Sequence, residues 1–143
     1  MEKEKNMHYT QNTIRNSKIK ENEWAISNRL NFAAFTSCIG IVGYDQKSNG
    51  ALWGIHLVQA AEDFFNENDA QTVAGLVENY CEKENIKIFG CLSAWKSNPA
   101  YDKLKSSLVD KGFKVEEVNT PKDDGVYTVT YNTITSQIDI VKS

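Results

Sequence analysis

Apolar and polar positions along the chain cluster and break in a pattern that predicts strands with two helices set among them. Trp24-Ala-Ile-Ser27 reads as a short strand and Leu30 to Phe35 as a compact apolar stretch. After the polar break at Thr36-Ser37, the run Ile39 to Tyr44 reads as a second strand. Asp45 to Gly50 is polar and ends in Asn49-Gly50, a strong hairpin signal, so Ala51 to Leu57 reads as the returning strand. Residues 58–68 carry no clean period, although Phe64-Phe65 would suit a short helix. Ala70, Val73, Ala74, Val77 and Cys81 share one helical face, which predicts a helix opened by Asp69 and capped by Asn68 or Asp69. Ile86 to Leu92 is β-branched and apolar enough for a buried strand.

The second helix is the better punctuated one. Asn98 suits the N-cap, Pro99 the first helical position and Gly112 the residue just past the end, while Tyr101, Leu104 and Leu108 line one face. Phe113 to Val118 follows as a strand and Thr120 to Gly125 as a loop. Val126 to Tyr131 alternates and pairs with Ile138 to Val141 across a short turn. The expected fold is α+β: layered mixed or antiparallel sheets of about six or seven strands, flanked by two main helices.

The 143 residues suffice for one domain with a sizeable core. Residues 1–22 differ from the rest in composition. They hold five basic and three acidic groups, net +2, against −5 for the remainder, and few large apolar side chains. They read as a flexible or loosely docked polar arm ahead of a single domain at 23–143. The acidic body, net −3 overall, argues against nucleic acid. No apolar run approaches the roughly 20 residues of a membrane helix, and no apolar stretch follows the charged start, so neither insertion nor a secretory signal is expected. Three widely spaced cysteines, Cys38, Cys81 and Cys91, make no disulfide framework and fit a reducing, cytoplasmic setting. With only His8 and His56, no metal site and no cofactor are expected.

Cys38 and His56 are the residues to examine. Placing the hairpin centre at residue 47 makes them direct cross-strand neighbours, with Cβ atoms about 5 Å apart. An imidazole at that range takes the thiol proton and leaves a strong nucleophile. The polar Thr36-Ser37 would set the thiol at an exposed strand entrance and offer backbone N–H groups to an oxyanion. The structural alternative is a buried cysteine and a satisfied core histidine. Cys81 and Cys91 read as core residues. Trp53, Phe64 and Phe65 flank His56 as a possible hydrophobic lip, and Ser93 follows the central strand closely enough to reach the site.

The run Phe35-Thr36-Ser37-Cys38-Ile39-Gly40-Ile41-Val42-Gly43-Tyr44-Asp45 resembles the cysteine motif of the CheD family, the chemoreceptor glutamine deamidases of bacterial chemotaxis. Gly54-Ile55-His56-Leu57 falls where that family carries its catalytic histidine, 18 residues after the cysteine. Ile86-Lys-Ile-Phe-Gly-Cys91-Leu-Ser-Ala-Trp95 is similar to the family's Lys-Ile-Phe-Gly-Gly-Ala strand, and Val129-Thr-Tyr-Asn132-Thr-Ile-Thr135 to its closing hairpin. The same cysteine–histidine arrangement occurs in the catalytic domains of cytotoxic necrotizing factor toxins.

The resemblance implies a protein-glutamine deamidase in which Cys38 attacks the side-chain amide and His56 moves the protons. It implies a protein substrate that presents a glutamine, with a chemotaxis receptor or phosphatase as partner, or a target in another cell if the chain is a delivered effector. A CheD-like binding module without turnover is the alternative it leaves open. The family often has a threonine six residues before the cysteine to orient the histidine. Here that position is Phe32, which accepts no hydrogen bond, so Asn31 or a backbone carbonyl would have to serve, as a carbonyl does in the toxins. Ser37 and its neighbours would supply the oxyanion donors.

Overall fold

The computed structural model describes residues 8–14, 18–59, 65–118 and 125–142. Along the chain run β1 (Thr10–Gln11), β2 (Glu23–Ser27), β3 (Arg29–Asn31), β4 (Ile39–Tyr44), β5 (Leu52–Leu57), α1 (Glu67–Tyr80) and β6 (Ile86–Gly90). They are followed by α2 (Leu92–Trp95), α3 (Pro99–Asp110), β7 (Val115–Glu117), β8 (Tyr127–Asn132) and β9 (Gln137–Lys142). Phe64 and residues 120–124 of the expected loop lie outside the described residues.

The fold is α+β, as the hydrophobic pattern predicts, with nine strands among the described residues in two sheets. The mixed six-stranded sheet has the order β1-β2-β5-β4-β6-β7, with parallel pairs at its two edges, β1–β2 and β6–β7. The smaller sheet is β3-β8-β9, antiparallel throughout.

Strand alternation divides the core in two. Ile39, Ile41, Trp53, Ile55 and Leu57 project from one face of the large sheet and pack with Ala70, Val73 and Val77 of α1 and with Tyr101, Leu104 and Leu108 of α3. Val42 and Leu52 project from the other face and pack with Leu30, Tyr127, Val129 and Ile138 of the small sheet. The molecule is therefore layered as helices, large sheet, small sheet. Glycines are needed where the layers close up. A Cβ on Gly54 would meet a Leu30 methyl at 2.6 Å, and one on Gly40 would overlap the Phe89 ring.

Several boundaries differ from expectation for local reasons. The α1 N-cap is Asn66, whose side chain accepts from the N–H groups of Asn68 and Asp69 while the Asp69 carboxylate accepts from the Asn66 N–H. That reciprocal capping box starts the helix two residues before Asp69. The strand expected over 86–92 ends at Gly90, whose φ of 110° turns the chain into the short α2. For α3 the expected cap at Asn98, proline at 99 and left-handed Gly112 are all present.

The segment read as an arm is docked where it is described. β1 pairs with β2, and Ile19 is 2% exposed, held in a parallel bridge to Phe32. Among the described residues, no helix is long and apolar enough to cross a membrane.

Candidate functional site

The site begins at the β4–β5 hairpin. Asp45 closes the loop by donating its N–H to the Ala51 carbonyl at 3.0 Å, and its carboxylate accepts from the Ser48 N–H at 2.9 Å. Five residues, 46–50, thus lie outside the ladder, and the hairpin is centred on residue 48 rather than 47. The register follows: Gly40, not Cys38, stands opposite His56. The expected direct pairing of Cys38 with His56 is therefore shifted by two residues. A shift of two keeps a side chain on the same face, whereas a shift of one would have lost it. Cys38 and His56 both face the small sheet as diagonal neighbours, where Cα atoms lie about 7–8 Å apart.

His56 is fully buried among aromatic rings, with the Phe35 ring centroid 4.5 Å and the Phe32 centroid 6.1 Å away. Its Nδ1 lies 2.9 Å from the carbonyl oxygen of Ile19. A carbonyl only accepts, so Nδ1 carries the proton and Nε2 presents a lone pair. Nε2 is buried and has no hydrogen-bond partner among the described residues. Burial lowers the His56 pKa below the usual 6.5, against the Ile19 hydrogen bond and the negative charges of Glu21 and Glu23, which favour the protonated form. The ring is neutral at pH 7, in the tautomer that leaves Nε2 able to take a proton. A buried acceptor without a partner costs about 1–3 kcal/mol, so its retention marks the position as unusual.

Cys38 sits one residue before β4 and is 1% exposed, so the expectation of a solvent-reachable thiol is not met. Thr36 and Ser37, which precede it, are exposed. The loop they form is tightly held. Ser37 adopts a left-handed φ of 64°, its carbonyl accepts from the Trp95 indole N–H at 2.9 Å, and the Cys38 carbonyl accepts from the Cys91 N–H at 2.8 Å. The Cys38 thiol lies 3.5 Å from the Thr36 carbonyl. A non-glycine residue in that conformation stores about 1–3 kcal/mol and persists only where its surroundings enforce it.

The other expected residues separate. Phe32 fills the aromatic core beside His56 and bonds to nothing through its side chain. The Asn31 side chain points elsewhere, accepting from Thr128 Oγ1 at 3.3 Å and Arg29 Nε at 3.4 Å. Its backbone matters instead, because the Asn31 carbonyl accepts the Ile19 N–H at 2.8 Å and so fixes the residue that orients His56. Trp53 is no lip. It is three residues from His56 along a strand, so it faces the helices, where it is fully buried and stacks with Tyr80. Phe65 packs in that same helix-side core, its ring against Trp95. Ser93 is exposed on α2, which itself follows Cys91.

Ile19 is the site residue that side-chain reasoning does not reveal, since a backbone carbonyl has no sequence signature. Among the described residues, no group of three or more His, Cys, Asp or Glu side chains could hold a metal ion. No family model, curated protein or solved structure matches the chain.

Proposed function

We propose that the protein is a cysteine-dependent amidohydrolase that converts a glutamine side chain of a partner protein to glutamate. The observation that carries this reading is the state of His56: neutral, fixed by the Ile19 carbonyl through Nδ1, and presenting a bare Nε2 on the sheet face that also carries Cys38. A histidine oriented by a carbonyl also removes the difficulty posed by Phe32, and it agrees with the resemblance to CheD-like and toxin deamidases.

In the reaction, Nε2 takes the Cys38 proton and the thiolate attacks the carboxamide carbon. Backbone N–H groups of the 36–38 loop, that of Cys38 included, hold the tetrahedral oxyanion. Glu21 and Glu23 favour the transient imidazolium, which gives its proton to the departing nitrogen and releases ammonia. Water, deprotonated by the same Nε2, then hydrolyses the thioester to glutamate and frees the thiol. Substrate approaches from the side of the exposed Thr36-Ser37 turn that precedes the thiol.

The burial of both Cys38 and His56 favours a second reading, a protein-binding module that keeps this architecture without turnover. Ammonia release from a glutamine-bearing partner separates the two. The deamidase reading expects release by the wild type and none by Cys38→Ala, whereas the binding module captures the partner and leaves its glutamines intact.

A further inference from the structure

Cys38 has a second cysteine beside it. The β4–β6 ladder ends at the Ile39–Gly90 pair, and immediately beyond it the Cys91 N–H donates to the Cys38 carbonyl at 2.8 Å. A backbone N–H···O bond at the end of an antiparallel ladder holds the two residues' Cα atoms about 5.5 Å apart. That separation lies inside the roughly 4.4–6.8 Å that a disulfide spans. Both side chains are buried in the core between the two sheets, and both are thiols here. The close approach is built in at Gly90, where a Cβ would meet the Cys38 carbonyl oxygen at 2.8 Å. Cys81 belongs to the other core, between the large sheet and the helices, so the sheet itself separates it from the pair.

We propose that Cys38 and Cys91 are a reversible dithiol–disulfide couple, and that closing the bond masks Cys38. The couple stands on that backbone bond and on the core the two side chains share; the regulatory consequence rests on Cys38 being the nucleophile. A peroxide is the oxidant. The Cys38 sulfur, next to the exposed Thr36-Ser37 turn in sequence, attacks one peroxide oxygen, giving a sulfenic acid and one water. The Cys91 sulfur then attacks the sulfenic sulfur, the S–S bond forms, and the hydroxyl leaves with the Cys91 proton as a second water. Two thiols lose two electrons and the peroxide gains them. A small dithiol reverses the change by exchange through a mixed disulfide. Such a bond in a reducing compartment is transient, as expected of a sensor rather than a staple.

The test treats the full-length reduced protein with hydrogen peroxide, then unfolds it, alkylates it and maps its peptides by mass. The expected result is a Cys38–Cys91 linked peptide two hydrogens lighter than its parts, alkylation at Cys81 only, and full alkylation after dithiothreitol. Three alkylated cysteines, an unlinked oxidised Cys38, or a link through Cys81 would overturn the couple. Cys91→Ala should form no link. If that variant does not fold, Cys81→Ala replaces it and must retain the link. Ammonia release is then read on the same samples: peroxide should abolish it in the wild type and dithiothreitol should restore it. Undiminished release by the linked protein overturns the masking. A reduced protein that links on oxidation yet never releases ammonia leaves the couple standing and removes the deamidase reading instead.

Discussion

His56 and Ile19 are joined through Nδ1 and a backbone carbonyl at 2.9 Å, across 37 positions of sequence. The clasp is double, because the His56 carbonyl accepts the Asn22 N–H at 2.7 Å. Ile19 is itself held on both sides, its N–H donating to Asn31 and its carbonyl also accepting from Ala33. Residues 18–22 therefore orient the imidazole from a strip of backbone whose own position is fixed by the segment running from β3 to Ala33. A side-chain hydroxyl at position 32 would have nothing left to do.

Phe32→Thr tests this directly. The ring is fully buried against Phe35, Phe89 and His56. Removing it should cost about 3 kcal/mol in urea denaturation. Per folded molecule, ammonia release should not rise. A clear gain in rate would show that His56 lacks an adequate orienting group.

Trp95→Phe should loosen the Thr36-Ser37 turn that precedes the thiol. It removes the indole donor to the Ser37 carbonyl, which then lacks that partner. The expected cost is about 1–3 kcal/mol. Iodoacetamide should label Cys38 faster in the variant than in the wild type, while Cys81, in the other core, should label at an unchanged rate. Equal labelling of Cys38 in both proteins would contradict a role for this bond in closing the loop.

The depressed pKa of His56 predicts a sign for pH dependence. Above pH 6.5 the ring is neutral folded and unfolded, so it adds no slope to stability. Below 6.5 the unfolded chain takes a proton that the folded ring resists, so stability falls with pH until the lower folded pKa is reached. His56→Gln should flatten that part of the curve. For labelling of Cys38, the neutral base should persist to lower pH than in an ordinary histidine. An identical wild-type and variant stability profile between pH 5 and 7 would remove the burial argument.

Trp53→Phe should leave ammonia release unchanged, because the side chain lies on the helix side of the sheet. Its indole N–H has no partner among the described residues, so losing it offsets the lost packing and stability should change by only about 1 kcal/mol. A large activity loss in a folded variant would place Trp53 at the site after all.

Much of this was legible beforehand, and the reasons differ by element. β4 matches its apolar run residue for residue, β5 lacks only Ala51, and α3 carries its own cap, proline and terminal glycine. The shared face of Cys38 and His56 survived a wrong hairpin centre because moving the centre by one residue shifts the pairing by two. The centre itself depends on Asp45 closing to Ala51, a choice that several polar loops of this composition could make differently. The parity of Trp53 was readable, since three residues along a strand reverses the face. Ile19 was not readable, because it acts through its backbone from a segment poor in apolar side chains. Nor does composition disclose that the thiol is buried or that Trp95 reaches the Ser37 carbonyl across 58 positions.

The central claim is that Cys38 and His56 hydrolyse a glutamine amide. Partners captured with Cys38→Ala should be incubated with wild type, Cys38→Ala and His56→Ala, and their glutamines followed by mass spectrometry alongside ammonia. The account predicts one glutamine converted to glutamate by the wild type, none by Cys38→Ala, and a rate lower by on the order of 10²-fold or more with His56→Ala. A captured partner whose glutamines stay intact with wild type and Cys38→Ala alike would contradict it.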